Sequence, residues 1–357
     1  MRIPSKVKLL DDQITVSVAG PGYGEAIFIN IGGKIRIGID SCKSLLQERH
    51  GHPGFLEEQL AGMDKDHYLF WILTHYHFDH FQSLSNILDK FGDKCASIII
   101  PSDYTEADVW RNVVEAEAKD SPRPLESAHI AKGEYERLRI LRTKKAWQAK
   151  YKSSATGMHE WISAQMLTPG KDKVRLEVDY HCTQEAEYSA LLAQALQKGM
   201  EETAEWNSRD TANKGAYILH IKAGQFDGLF LSDAESVRTE ELLQSRSKSD
   251  ARVFCLKVAH HGSPDGTTEA MLDRYCGTAS TCDLYAFIAP FKHHNLPREE
   301  VITMLTDRGF KLYISGTKVA SPSISGDIAR QLEHLIKVKV HDSIAAGTDI
   351  ISESFYL

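Results

Sequence analysis

The stretch HYLFWILTHYHFDHFQSLSNILDKF, residues 67 to 91, constrains the fold more than any other part of the chain. Its first eight residues, 67 to 74, form a mostly apolar run of strand length, as expected for a strand buried on both faces. FQSLSNILDKF reads as a helix starting shortly afterwards. Between the two, THYHFDH places His75, His77, Asp79 and His80 where the strand opens into a loop. Side chains two apart share one face of an extended segment, so His75, His77 and Asp79 can lean the same way. His80 turns toward a neighbouring point as the helix begins. Imidazole and carboxylate suit zinc, manganese or iron. Two histidines on one ion and an Asp-His pair on another would set two metals side by side. The alternative is a strand end with chance histidines, in a chain that has 16 of them. That alternative does not explain why strand, spacing and helix occur together.

The flanking sequence supplies strands on both sides of this point. Residues 13 to 40 alternate as ITVSVAG, EAIFINI and KIRIGID, with a tight hairpin signal at Ile31-Gly32-Gly33-Lys34. PGYG, 21 to 24, reads as a turn and not a phosphate loop, because no helical pattern follows it. ASIIIPS, GAYILHIKAG, DGLFLSD, VFCLKVA, LYAFIAP and KLYISG are further strand patterns, and PREEVITMLTDRG is a helix with Pro297 near its start. From about 103 to 165 the pattern is mostly helical and polar, and 183 to 206 reads as an acidic amphipathic helix. With 357 residues and no repeat or clear linker, the expectation is one domain over 1–357 carrying insertions at about 103–165 and 180–210.

A net charge of -7 argues against the whole molecule attracting nucleic acid or anionic membrane, although a local patch can still do so. The strongest such patch is 131 to 152, where lysines and arginines alternate with Tyr135, Trp147 and Tyr151. It suits unpaired bases on a polyanion; a solvated helical face is the other reading. MRIPSKVKLL lacks the apolar core of a signal peptide, and no run is long enough to span a membrane. Six cysteines without a CxxC pair fit reduced thiols, so a cytoplasmic location is expected.

THYHFDH resembles the signature of the metallo-β-lactamase fold superfamily of metallohydrolases. FLSDAE resembles that family's bridging-ligand motif, which implies Asp233 between the metals. LKVAHHGS, 256 to 263, together with GYGEAIFINIGGKIRIGIDSC, resembles the ComEC-like branch, which includes the nuclease-like domain of a competence DNA-uptake protein. The resemblance implies a four-layer αββα sandwich with helical insertions, and two divalent ions, zinc or manganese. It implies metal ligands His75, His77, Asp79, His80, Asp233 and His260. Asp40, ending KIRIGID, is implied to hold a ligand histidine from behind. His261 is left to orient a ligand, contact a phosphate oxygen or pack. His294, in KHHNLPREE just before a helix start, is a candidate to bind phosphate or protonate a leaving group.

Two departures stand out. Many members carry another histidine before the bridging aspartate; here only His129, His159, His181 and His220 lie between 80 and 233, and none sits in a recognisable motif. Glu25, in PGYGEA, stands where an aspartate is common. A hydroxide shared by two ions suits phosphodiesters, lactones, thioesters and β-lactams alike. The HHGS resemblance leans toward a phosphodiesterase acting on nucleic acid or a nucleotide, with Asp79 orienting the hydroxide. The alternatives are a hydrolase of a small ester, such as a phosphocholine ester or lactone, and a scaffold with a degenerate metal site whose helical insertions bind a protein partner.

Overall fold

A computed structural model describes residues 6–20, 24–42, 55–63, 66–75, 77–100, 133–134, 136–138, 140–141, 151–152, 157–168, 173–182, 213, 216–236, 239, 253–278, 282–291, 294–315 and 350–356. Its strands form two sheets. The first runs in the order β1 (Lys6–Lys8), β8 (Gly157–Leu167), β9 (Lys173–Cys182), β10 (Tyr217–Ala223), β11 (Phe226–Phe230), β12 (Cys255–Lys257), β13 (Leu284–Ile288) and β14 (Phe310–Ile314). The second runs β15 (Ile350–Tyr356), β2 (Gln13–Ala19), β3 (Ala26–Ile31), β4 (Ile35–Asp40), β5 (Tyr68–Ile72), β6 (Cys95–Ile99) and β7 (Tyr151–Lys152). Both are mixed: β4 to β6 are parallel within the second sheet and β11 to β14 within the first, and the remaining hairpins are antiparallel.

Alternation along the strands builds the layers. Phe230, Cys255, Phe287 and Tyr313 point into a core shared with Ile27, Ile29, Ile37, Ile39 and Ile72 of the facing sheet. Their chain neighbours Leu229, Leu256, Ala286 and Leu312 point the other way, under α4 (Glu269–Tyr275) and α5 (Glu299–Asp307), which bury Met271, Leu272, Val301, Ile302 and Leu305 against them. This is the period of two expected of strands covered on both faces. On the outside of the second sheet α1 (Phe55–Leu60) packs on β3 and on α3 (Leu84–Phe91). The result is the four-layer αββα sandwich expected above.

The predicted hairpin joins β3 to β4, and Gly32 and Gly33 both take positive φ there, 55° and 66°. One expectation is corrected. The stretch read as mostly helical to about residue 165 contains the start of β8, which pairs with β1 and β9. Ile162, Ala164 and Met166 are buried while Ser163 and Gln165 are exposed. The alternation was short, and a register shift between Glu160 and Ile162 interrupts it. The described part of 133–141 is helical and returns to the body of the fold. Leu138 and Leu141 are buried, and Glu134 accepts hydrogen bonds from the backbone and hydroxyl of Ser85 at the start of α3. Residues 103–132 and 183–210 lie outside the described residues. Among the described residues no helix is long and apolar enough to cross a membrane.

Candidate metal centre

The parallel strands β4, β5, β11 and β12 all end at one edge of the sandwich, and each carries polar residues beyond its last apolar one. Asp40 ends β4; Thr74, His75 and His77 follow β5; Ser232 and Asp233 follow β11; and His260 and His261 follow β12. Backbone bonds stitch this edge together: Tyr217 N–H to the Thr74 carbonyl at 3.0 Å, Ser41 N–H to His80 at 2.7 Å, and His260 N–H to Ser232 at 2.7 Å. The turn conformations are unusual. Asp40, Ser232, His260 and His261 all hold positive φ, between 45° and 56°, though none is glycine. Such residues persist only where the surroundings over-determine them.

Two groups of donor atoms result, each with its atoms within 4.8 Å of one another: His75, His77 and Asp233, and Asp79, His80, Asp233 and His261. Asp233 belongs to both. Its Oδ2 lies 3.7 Å from His75 Nε2, 3.4 Å from His80 Nε2 and 3.8 Å from His261 Nε2. Asp79 Oδ2 is 3.4 Å from His80 Nε2 and 3.2 Å from His261 Nε2. α2 (Phe78–Phe81) presents Asp79 and His80 together.

The His75, His80 and His261 rings are fixed from behind, leaving Nε2 to face the centre. His80 Nδ1 donates to Asp40 Oδ2 at 2.8 Å. His261 Nδ1 donates to the Ala289 carbonyl at 2.9 Å. His75 Nδ1 lies 3.0 Å from the Thr74 hydroxyl, which donates to Asp40 and accepts from Ser232. Nδ1–H bonds of this kind set the tautomer that leaves Nε2 free for a metal. The buried Nε2 atoms of His75 and His80 and Oδ1 of Asp233 make no hydrogen bond. Buried polar atoms without hydrogen bonds are rare in folded proteins, and converging ones fit divalent cations.

The electrostatics agree. Burial, with repulsion from His80 and His77, holds the His75 pKa well below its ordinary value, so it is neutral and able to donate a lone pair. Burial would raise Asp79 and Asp233, but His80 and His261 outweigh it and hold both well below the usual carboxylate range. Burial disfavours charge on His80; Asp233, Asp79 and Asp40 overcome that and raise its pKa well above the ordinary value. A third group, Glu25, Asp40 and His80, also converges, but Asp40 and His80 bond each other and Glu25 pairs with Lys257.

The structure brings together His75, His77, Asp79, His80 and Asp233 of the expected ligands, and Asp40 behind them. It does not bring in His260. That ring turns outward, with Nδ1 3.4 Å from Asp265 and the side chain 23% exposed. Burial opposes its charge, but Asp233 and Asp265 outweigh this and push its pKa up to about 9. His261 occupies the inner position instead. His294 stands one ring further out: it stacks on Phe291 at 5.0 Å, and Phe291 lies 5.1 Å from His261. Among the described residues no fourth protein donor joins His75, His77 and Asp233. His220 pairs with Asp227 within the sheet, and the side chains of His159 and His181 lie outside the described residues, as does His129.

No protein-family model matches the chain, and no curated protein matches its sequence. Among solved structures it is similar to a mutant of the CmlA beta-hydroxylase, at 12% identity and a TM-score of 0.41, over 96% of this chain and 54% of that one. It is also similar to the hydrolase AbOPH of the beta lactamase superfamily, at 15% identity and a TM-score of 0.29, over 62% of this chain and 71% of that one. The chain thus spans about half the length of the hydroxylase. Likenesses this distant say nothing of chemistry, which rests on the side chains themselves.

Proposed function

We propose that the chain is a metal-dependent hydrolase with two divalent ions, zinc or manganese, and that it cleaves phosphodiesters of nucleic acid or nucleotides. The observation that carries the reading is Asp233, one carboxylate shared by two converging groups of donors. His75, His77 and Asp233 would hold one ion, and Asp79, His80, Asp233 and His261 the other. Bound there, the ions supply a Lewis acid and lower the pKa of a water toward neutrality. Asp79 is the carboxylate of the cluster that reaches solvent, its side chain 19% exposed against 3% for Asp233. It accepts a hydrogen bond from the attacking water and orients it. Asp233 is buried and shared between the two groups. His260, beside Asp265, would donate to an anionic substrate oxygen, and His294 would protonate the leaving group. The choice of phosphodiesters rests on the resemblance of LKVAHHGS to the ComEC-like branch.

Protein grown with zinc and manganese and purified without chelator is expected to carry more than one transition-metal ion per chain by elemental analysis. It should hydrolyse bis-p-nitrophenyl phosphate and either plasmid DNA or RNA. Turnover of a lactone or phosphocholine ester alone would move the assignment to small esters. Well-ordered protein that takes up no metal would leave only the scaffold reading. Arg139, Arg142, Lys144 and Lys145, which lie outside the described residues, test the polynucleotide part. Reversing all four to glutamate should weaken binding of single strands and flatten its salt dependence.

A further inference from the structure

Behind the cluster lies a charged pair that neither donor group uses. Glu25 and Lys257 are both fully buried, with Oε2 2.5 Å from Nζ. Nζ also donates to the Val258 carbonyl at 2.9 Å, while Glu25 Oε1 is buried without a hydrogen bond. Desolvating two charges costs enough that an apolar pair of similar volume often serves a fold equally well. Packing alone therefore does not account for this pair, but its position does. Lys257 ends β12, the strand that leads into His261. Glu25 immediately precedes β3, whose first residue, Ala26, pairs with Asp40.

From there Glu25 touches most of one donor group. Its Oε2 is 3.6 Å from His261 Nδ1. Its carboxylate converges with Asp40 and His80. Its backbone N–H donates to the Asp79 carbonyl at 3.2 Å. The chain reaches this spot through Gly24, where φ is 150° and a Cβ would come within 2.4 Å of that same carbonyl.

We propose that the Glu25–Lys257 ion pair is a positioning device for the ion held by Asp79, His80, Asp233 and His261. This rests on the metal reading above. Glu25 Oε2 lies beside the His261 Nδ1–H that donates to Ala289 and helps hold the ring in that orientation. Nε2 is thereby left as a lone pair aimed at Asp79 and Asp233. Lys257 holds the Glu25 carboxylate beside His261 and offsets its charge, so that Glu25 supports a ligand without becoming one.

The single variants Glu25→Gln and Lys257→Met each strand one buried charge and are expected to destabilise the fold. The informative variant is therefore Glu25→Gln/Lys257→Met, which removes both charges at similar volume. Metal-free protein is titrated with cobalt(II), reading the visible spectrum, and with zinc by calorimetry. Wild type should bind two ions in two steps. The double variant should keep one step, weaken the other by roughly 10-fold or more, and change the cobalt spectrum of that site. Glu25→Asp keeps the charge and should stay within about threefold of wild type, short of that loss. A double variant that titrates like wild type overturns the proposal. So does one that fails to fold, since the pair would then be structural, and so does Glu25→Asp as weak as the double variant. Wild type that binds no second ion would instead remove the proposed function on which this rests.

Discussion

Asp79 and Asp233 sit side by side yet carry different parts of the centre, and their surroundings separate them. Asp233 is 3% exposed and shared between both donor groups, whereas Asp79 belongs to one group and reaches solvent. Asp233→Ala should therefore lose both ions, and His77→Ala only one, as read by elemental analysis of the purified variants. Asp79→Ala should leave the chain folded and still able to hold the ion at His75 and His77. Its hydrolysis should fall by roughly three orders of magnitude or more, about 4 kcal/mol in the barrier, because the organised water is lost. Turnover of bis-p-nitrophenyl phosphate at the wild-type rate in Asp79→Ala would refute its role.

At the scale of elements, what matters is how β4 and β5 deliver their ends to the edge. Gly38 of β4 pairs with Trp71 of β5 in parallel register. A Cβ on Gly38 would lie 2.5 Å from two atoms of the Trp71 ring, which is itself fully buried. The missing side chain is what lets the indole lie flat across β4, two residues before Asp40. Gly38→Ala should cost ~1–3 kcal/mol through overpacking, seen as a lower midpoint in denaturant unfolding. Most of these strands were legible as apolar runs or alternations, since burial on both faces imposes that composition. β1, β7, β8, β9 and β15 were not. They join the sheets at or near their edges, where a strand needs few apolar residues, and long-range pairing, as of Ile351 with Val18, leaves no local mark.

For the whole molecule the centre is also a clasp between the sheets. Ser232 of the first sheet donates to Thr74 of the second at 2.7 Å, and each donor group combines residues from both sheets. An unfolded chain cannot gather these ligands, so bound ions should stabilise the folded state by linkage. Free metal at about 100 times its dissociation constant is worth ~2.7 kcal/mol per site. Dialysis against EDTA should therefore lower the thermal midpoint, and restoring zinc or manganese should raise it again. An identical midpoint with and without metal would rule out this clasp.

Much of the centre could be read from the chain alone. His75, His77, Asp79 and His80 are close in sequence, and a strand leading into a helix leaves them little choice but to gather. Asp40 and Asp233 each end an apolar run, so the strand itself delivers them to the edge. The choice between His260 and His261 was different. The two are adjacent and chemically identical, and only the backbone between β12 and Ser263 decides which ring faces in. Both residues adopt left-handed φ, followed by Gly262 at 88°, where a Cβ would meet Pro297 at 2.4 Å. The packing of the 294–298 loop against Gly262 thus accompanies a turn that swings His261 inward and His260 out. The buried pairing of Glu25 with Lys257 was equally hidden. Local sequence records period and burial, but not which distant charge will lie opposite once the two sheets close.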